Sequence, residues 1–299
     1  MINQIDEIVF KHVAIIGAGQ MGRGIAQIIA LSGSNIQLID HDQQALDQAL
    51  EAIKNRLDQQ VKRDRITTDT AHKTLKHIAL KDDLEKISNF DLAIETISED
   101  EGQKRSILKK LSTLAHEDAL ITTNTSSIPI TRLASNLTRP ENFCGMHFMN
   151  PAPAMGLVEL IRGLTTSVQT FNTIERFVSK QLKRQIAVAE DFPGFIVNRI
   201  LMPMINEAIY ALYEGVGSVD SIDRAMCLGT GHPQGPLTLA DFIGLDTCLA
   251  ILNVLFNDLH DDKYRPCPLL IKYVEASWLG VKTSRGFYDY TGKKPKPTR

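Results

Sequence analysis

A glycine pattern placed directly after a short apolar run is the feature that most constrains the fold of this chain. The run covers residues 13–16 (VAII), and residues 17–22 (GAGQMG) follow it and open a segment with helical spacing of its apolar residues. In such a strand–turn–helix unit, Gly17 permits the tight turn, Gly19 lets the backbone approach a pyrophosphate, and Gly22 allows close packing of the helix on the strand. The N–H groups at the start of the helix attract the anion. The pattern therefore predicts an α/β unit that binds a dinucleotide.

An acidic residue at the end of the next predicted strand indicates which dinucleotide binds. Residues 36–39 (IQLI) form that strand, and Asp40 follows them directly. A carboxylate at this place accepts a hydrogen bond from a ribose 2′-hydroxyl and repels a 2′-phosphate, which favours NAD over NADP. The alternative is a glycine turn beside an exposed Asp. The predicted cofactor contacts in this part of the chain are Gly17, Gly19, Gln20, Met21, Gly22 and Asp40.

Strands and helices are predicted to alternate along the first two thirds of the chain. Amphipathic or helical patterns cover residues 43–61 and 101–115, and short apolar runs cover residues 92–94 and 119–122. This alternation is typical of a parallel, doubly wound sheet, and we expect a Rossmann-type α/β domain. Three further strands are predicted at residues 143–148, 157–161 and 186–189.

The pattern changes near residue 190, which we take as the boundary between a first domain (1–190) and an all-α C-terminal domain (191–299). Helices are predicted over residues 195–213, 236–259 and 268–279, and Pro203 is expected to kink or end the first of these. The apolar content of this domain favours a homodimer formed through it. Residues 293–297 (KKPKP) resemble a disordered tail.

The composition excludes several classes of protein. The formal net charge is −2 and 43% of the residues are hydrophobic, which argues against a nucleic-acid-binding protein or a polybasic membrane protein. No apolar run reaches the roughly 18 residues of a membrane span, and the first eleven residues lack the apolar core of a secretory signal. The four cysteines are far apart and predict neither disulfides nor a metal site. We expect a soluble, cytoplasmic protein without a metal.

A histidine and a glutamate lie in two apolar runs on either side of a proline-containing turn. His147 lies in residues 145–151 (GMHFMNP), and Glu159 lies in residues 157–161 (LVELI). If the chain folds back at Pro153, midway between them, the two side chains become neighbours. A carboxylate beside an imidazole fixes its tautomer and stabilises the imidazolium, as a general base for alcohol oxidation requires. The alternative is a surface His and a solvated Glu on an edge strand.

These segments together resemble the L-3-hydroxyacyl-CoA dehydrogenase family, which includes 3-hydroxybutyryl-CoA dehydrogenases, over nearly the whole chain. Each motif alone is unspecific, but their combination in this order is highly specific. The motifs are residues 17–22, Glu95, 124–127 (NTSS), 145–151, 158–160 (VEL), 193–199 (PGFIVNR), 232–237 (HPQGPL) and 282–288 (KTSRGFY).

The resemblance implies roles for particular residues. It assigns the general base to His147, its orienting carboxylate to Glu159, and hydrogen bonds to the reacting oxygens to Ser126 and Asn198. It also implies that Glu99, Lys104, Asn150 and Lys282 contact the cofactor.

The sequence alone leaves alternatives to these roles open. Ser126 could instead cap a helix that begins near Ile128. Glu99 and Lys104 could belong to a solvated, charged helix start, and Asn198 could be a solvated helix residue, although an apolar stretch surrounds it.

Two arginines occupy the positions at which the family's Ser and Lys contact coenzyme A. Arg56 and Arg63 are seven residues apart on the long predicted helix and are therefore expected on one face. Such cations suit the phosphates of CoA, or of another thioester carrier where Arg replaces Ser. A solvated helix face is the alternative.

The leading hypothesis is NAD-dependent oxidation of (S)-3-hydroxyacyl-CoA to 3-oxoacyl-CoA. The same chemistry on a carrier-protein thioester or on a free hydroxy acid is a second hypothesis. Gulonate-specific relatives usually have Pro where this chain has Phe148, which favours the thioester. A third hypothesis is a catalytically silent dinucleotide-binding protein, against which the retention of His147, Glu159, Ser126 and Asn198 argues. Fatty-acid β-oxidation, butanoate metabolism and aromatic-compound catabolism remain open as pathways.

Overall fold

The computed structural model of the protein describes residues 9–298, so residues 1–8 and 299 of the predicted domains lie outside it. The described chain divides between Phe192 and Pro193 into two compact units. In the first unit, a sheet has the strand order β3-β2-β1-β4-β5-β6-β7-β8. These strands are β1 (His12–Ile16), β2 (Asn35–Ile39), β3 (Ile78–Lys81), β4 (Leu92–Glu95), β5 (Leu120–Thr123), β6 (Phe143–Phe148), β7 (Leu157–Arg162) and β8 (Gln185–Glu190).

The sheet is parallel from β3 to β6, and β7 then pairs antiparallel with β6 and parallel with β8. The strand order reverses between β1 and β4, which is the point at which open α/β sheets bind ligands at their carboxyl ends. The sheet packs against helices α1 (Gln20–Leu31), α2 (Gln43–Lys62), α3 (Thr68–Lys76), α4 (Glu101–Leu114), α5 (Ile130–Ala134) and α6 (Val168–Arg176). The predicted Rossmann-type architecture is therefore confirmed.

Burial and capping explain the long helix that follows β2. The Asp42 side chain accepts a hydrogen bond from Gln44 N and so caps the first turn of α2. Leu46, Ala49, Ile53 and Leu57 of this helix are buried at helical spacing. They join an apolar core that also includes residues of α1 and of the central strands.

The second unit is mainly helical. Its helices are α7 (Val197–Tyr213), α8 (Val219–Thr230), α9 (Pro236–Ile243), α10 (Leu245–Leu259) and α11 (Pro268–Glu275). Helix α7 continues through Pro203, so the proline does not end the helix. A proline removes one helical hydrogen bond, and here the burial of Met202, Ile205 and Ile209 on the same helix offsets that loss.

Three further expectations about the C-terminal region were wrong in detail. The stretch 236–259 forms two helices that meet at 96°, because Gly244 adopts a φ of +103° between them. The last long helix ends at Glu275 rather than at residue 279. The expected disordered tail instead forms β10 (Lys296–Pro297), which pairs antiparallel with β9 (Tyr288–Asp289).

Residues 9–298 contain neither a disulfide nor a cluster of metal-binding side chains. In the same range, no single helix has the length and hydropathy needed to cross a membrane, and only the bent pair α9–α10 passes that test when taken together.

Candidate active site

His147 and Glu159 face each other on neighbouring strands. The antiparallel pairing of β6 with β7 sets the two residues opposite each other, and His147 Nδ1 lies 2.8 Å from Glu159 Oε2. His147 is 7% exposed and Glu159 is fully buried. Because β7 lies between β6 and β8, Glu159 is not on an edge strand. The alternative of a surface histidine and a solvated glutamate is therefore wrong.

The carboxylate determines which ring nitrogen of His147 carries the proton. A carboxylate only accepts hydrogen bonds, so Nδ1 donates to Glu159 and Nε2 carries the lone pair in the neutral ring. A proton taken up at Nε2 produces an imidazolium in contact with a buried negative charge, which stabilises the cation. The pair is suited to accept a proton from a substrate hydroxyl.

The turn after β6 places the end of the His147 strand beside the glycine-rich loop. Asn150 Oδ1 accepts a hydrogen bond from Gln20 Nε2 at 3.0 Å. A Cβ added to Gly24 of α1 would lie 3.0 Å from Cδ of Pro153, so the turn and this helix pack closely. Asn150 and Gln20, both predicted cofactor contacts, therefore lie together.

The glycine-rich loop has the geometry expected of a dinucleotide site. Gly17 adopts a φ of +103°, and its N–H donates to Ile39 O at 2.7 Å. A Cβ on Gly22 would lie only 1.8 Å from Gly17 O, whereas a Cβ on Gly19 would meet no described heavy atom within 4 Å. The backbone at the start of α1 is thus open to a ligand. The Met21 side chain is partly buried and packs against the apolar core.

Asp40 and Thr96 hold this loop from two strands. Asp40 Oδ2 accepts from Ala18 N at 2.8 Å and Oδ1 accepts from Asp42 N at 3.1 Å. The carboxylate is 16% exposed and keeps acceptor capacity for a ribose hydroxyl. Thr96, which follows β4, donates from Oγ1 towards Ile16 O (2.9 Å) and Gly17 O (3.0 Å). Thr96 was not predicted, because the sequence pattern alone does not show which strand neighbours the loop.

Glu99 organises the loop that contains Ser126. Glu99 Oε1 accepts from the hydroxyl of Thr125 (2.6 Å), from N (2.9 Å) and Oγ (3.2 Å) of Ser126, and from N (3.1 Å) and Oγ (3.0 Å) of Ser127. Helix α5 begins only at Ile130, and it is the Asp191 carboxylate that accepts from its first N–H groups, Ile130 N at 2.6 Å and Thr131 N at 2.7 Å. The alternative of Ser126 as a helix cap is therefore wrong.

Asn124 connects the Ser126 loop to the histidine strand. Asn124 Oδ1 accepts a hydrogen bond from Phe148 N at 2.9 Å. Because Phe148 directly follows His147, this bond fixes the loop relative to the imidazole. The residue belongs to a motif noted in the sequence, but no role was predicted for it.

Lys104 is buried rather than solvated. It is 1% exposed, and its Nζ lies 2.7 Å from Glu95 Oε1, 3.2 Å from Ile97 O and 3.3 Å from Glu99 Oε2. The alternative of a solvated helix start is therefore wrong for Lys104. An ammonium has three N–H donors, and three oxygen atoms surround this one. A direct contact with a cofactor, as predicted, would require the ammonium to give up one of them.

The two carboxylates beside Lys104 have opposite pKa shifts. Burial raises the pKa of Glu95 above its ordinary value, although Lys104, Thr123 and Ile97 N act against that rise. Burial also acts to raise the pKa of Glu99, but Lys104 and the hydrogen bonds of the Ser126 loop outweigh it and hold the pKa below the ordinary value. Glu99 therefore remains an acceptor for the loop at neutral pH.

The two arginines predicted to contact the substrate are placed differently. Arg56 lines a cavity of about 430 Å³ together with residues of α1 and of the turn after β6, including Gln20, Arg23 and Pro151. Arg63 is exposed and lies just beyond the end of α2, where it is the C-cap residue. The helical backbone ends at Lys62, so Arg63 directly follows the last turn of the helix that carries Arg56.

Asn198 and Lys282 belong to the second unit. Asn198 is in the first turn of α7 and is 7% exposed, so the alternative of a solvated side chain is wrong. Lys282 Nζ lies 2.5 Å from Asp246 Oδ1, and both side chains are more than a third exposed.

Comparison with known proteins relates the chain to one enzyme family. The family model of the 3-hydroxyacyl-CoA dehydrogenase NAD binding domain matches residues 12–192, and that of the C-terminal domain matches residues 194–290. The chain is 55% identical over 291 residues to 3-hydroxybutyryl-CoA dehydrogenase from Bradyrhizobium diazoefficiens, covering 97% of this chain and 99% of the relative. It is 38% identical to human mitochondrial hydroxyacyl-coenzyme A dehydrogenase, covering 95% and 92%.

A solved structure is similar over the same length. The (S)-3-hydroxybutyryl-CoA dehydrogenase from Ralstonia eutropha superimposes with a TM-score of 0.89 at 43% identity, covering 95% of this chain and 100% of that chain.

Proposed function

The chain belongs to the 3-hydroxyacyl-CoA dehydrogenase family and uses NAD, and we propose that it oxidises (S)-3-hydroxyacyl-CoA thioesters reversibly to 3-oxoacyl-CoA. The observation that carries this proposal is the buried pair of His147 Nδ1 and Glu159 Oε2 at 2.8 Å. Bound NAD supplies the chemistry of a hydride acceptor for carbon 3 of the substrate. The glycine-rich loop and Asp40 are the residues suited to hold it.

His147 deprotonates the substrate hydroxyl. Its Nε2 accepts the proton, and Glu159 stabilises the resulting imidazolium. In the reverse direction the imidazolium returns the proton to the alkoxide oxygen. Ser126 and Asn198 donate hydrogen bonds to the reacting oxygens, and such donors are most effective when they are fixed in advance. The bond from Ser126 N to Glu99 fixes the backbone of this loop, whereas the Ser126 hydroxyl, which donates to Glu99 at 3.2 Å, must turn away from Glu99 to donate to a substrate oxygen.

Replacement of the base tests this proposal. We expect His147→Gln to lower kcat for acetoacetyl-CoA reduction about 10³-fold, because the proton transfer loses its donor. NADH binding, followed by fluorescence, should be unchanged. His72→Gln, which replaces an exposed histidine of α3, is the matched control and should retain wild-type turnover. Normal turnover of His147→Gln would reject His147 as the acid–base group.

The nature of the substrate is tested by comparing kcat/KM for acetoacetyl-CoA, acetoacetyl-carrier protein and acetoacetate. We expect the CoA thioester to be preferred, since Arg56 lines a cavity beside the turn after β6 and suits the CoA phosphates. A preference for either other substrate contradicts this assignment. No turnover with any of them, including longer 3-oxoacyl-CoA thioesters, would favour a silent nucleotide-binding protein.

The protein is further proposed to form a homodimer through its second unit. Ile200, Leu228 and Phe242 expose 68%, 80% and 50% of their surface, which is unusual for large apolar side chains on neighbouring helices. Sedimentation equilibrium should give twice the mass of one chain, and a monomer at micromolar concentration would contradict the proposal.

A further inference from the structure

A second cavity lies in the first unit, separate from the residues assigned to catalysis. It has a volume of about 330 Å³ and lies between the second half of α1, the end of α2 and the segment before β8. Three polar atoms of its lining residues are buried and have no hydrogen-bond partner among the described residues: Gln27 Nε2, Gln60 Oε1 and Arg184 Nε. Buried polar atoms in native proteins are almost always satisfied, so three at one cavity call for an explanation.

The side-chain amide of one neighbouring residue in the cavity wall does have hydrogen-bond partners. Gln181 also lines the cavity. Its Oε1 accepts from Val9 N and Phe10 N, and its Nε2 donates to Ser34 Oγ at 2.8 Å. Gln27, by contrast, is 1% exposed and its amide nitrogen has no acceptor among the described residues. Only some of the polar side chains that line the cavity therefore lack hydrogen-bond partners among the described residues.

The charge of the lining favours an anion. Arg184 lines the cavity, and the described lining residues include no carboxylate. The Arg184 guanidinium donates only a long bond, from Nη2 to Pro153 O at 3.5 Å, and forms no ion pair with a described residue. A guanidinium without a carboxylate partner is suited to bind phosphate.

We propose that this cavity binds a phosphomonoester group. Once these side chains turn towards the cavity, Gln27 Nε2 and Arg184 Nε can donate to phosphate oxygens, and Gln60 Oε1 can accept from the hydroxyl of the singly protonated group. Two sources share this chemistry: free phosphate, and the 3′-phosphate of coenzyme A. The second source rests on the proposed function, and it is supported by Gln27 and Pro153, which line both this cavity and the larger one beside Arg56.

Binding of inorganic phosphate is the first test, measured by isothermal titration calorimetry on the full-length protein. Arg184→Met should weaken phosphate binding about tenfold or more, because one charge-assisted hydrogen bond is lost. Arg176→Met is the matched control, since Arg176 is an exposed cation of α6. Should Arg184→Met fail to fold, Gln60→Glu preserves the shape and adds a repelling charge, and it should also weaken binding.

The second test compares KM for acetoacetyl-CoA and its 3′-dephospho form. If the 3′-phosphate occupies the cavity, its removal raises the wild-type KM about tenfold, leaves kcat unchanged and has little effect in Arg184→Met. Weaker phosphate binding by Arg184→Met without that KM effect identifies free phosphate as the ligand. If Arg184→Met changes neither measurement, the proposal is wrong and the cavity holds only solvent. Failure of the proposed function is distinguishable, because it would abolish turnover with both thioesters while phosphate binding persists.

Discussion

Lys104→Met tests the interpretation that a buried ion pair supports the active-site loops. In the wild type, Lys104 Nζ lies 2.7 Å from Glu95 Oε1, and the two side chains are 1% and 0% exposed. The substitution keeps most of the volume and removes the charge. Glu95 then retains the Thr123 hydroxyl and Ile97 N as donors but has no cation beside it.

The loss of stability follows from the burial of both partners. Removing one member of a buried ion pair costs about 3–5 kcal/mol, because the other charge stays buried without compensation. For a unit of this size each kcal/mol lowers Tm by about 2–4 °C. We therefore expect Lys104→Met to lower the Tm of the first unit by about 10 °C at neutral pH.

The effect must depend on pH in a defined direction. Burial already raises the pKa of Glu95 above its ordinary value of 4.5, and loss of the ammonium raises it further. In the unfolded chain Glu95 releases its proton near pH 4.5, whereas the folded variant retains it to higher pH. The free energy of unfolding of the variant therefore falls as pH rises above 4.5, and it falls further than that of the wild type.

Urea denaturation at pH 5.5 and pH 8 measures this difference. The gap between wild type and Lys104→Met should be larger at pH 8, and adding Glu95→Gln should recover much of the loss by removing the unpaired charge. Lys110→Met, an exposed lysine of the same helix, should change stability little. An equal gap at both pH values, or no recovery in the double variant, would refute the reasoning.

Three further substitutions test other parts of the structure. Gly22→Ala should weaken NADH binding about tenfold or more in a fluorescence titration, since its Cβ would lie 1.8 Å from Gly17 O and the loop must shift. Asp40→Ser should lower kcat/KM for NADH and raise the relative rate with NADPH about tenfold, as measured with both cofactors, because the repulsion of the 2′-phosphate is lost. Burial raises the pKa of Asp241 from 3.8 to about 6, so unfolding free energy should fall by about 3 kcal/mol between pH 4 and pH 7. Asp241→Asn should lack that pH dependence in denaturant titrations.

The sequence predicted those parts of the fold and site that depend on local spacing. The position of Gly17, Gly19 and Gly22 after an apolar run predicted the first β–α unit, because each of these positions requires glycine for its own steric reason. The symmetry of His147 and Glu159 about Pro153 predicted a cross-strand pair, because antiparallel strands joined by a short turn bring equidistant residues together.

The parts that were not predicted depend on tertiary burial. The helix start that contains Glu99 and Lys104 looks solvated in the sequence, since charged residues surround it. Whether such a lysine is buried depends on Glu95 at the end of the preceding strand, which the sheet brings beneath it. Helices α3 and α8 were missed as well, although the caps at Thr67 and Ser218 that start them are helix-start signals in the sequence.

Glu95 and Glu159, both fully buried in the first unit, show how the partner of a carboxylate determines its role. Glu95 contacts the ammonium of Lys104, whose charge is present before and after any reaction step, so the pair fixes loop geometry. Glu159 contacts the imidazole of His147, whose charge changes when it takes a proton. A buried carboxylate interacts more favourably with an imidazolium than with a neutral ring, so Glu159 stabilises the state that follows proton transfer more than the state before it. His147→Lys should therefore remove catalysis, measured as kcat for 3-hydroxyacyl-CoA oxidation, because a lysine at position 147 would hold its proton at the pH at which the histidine must accept one.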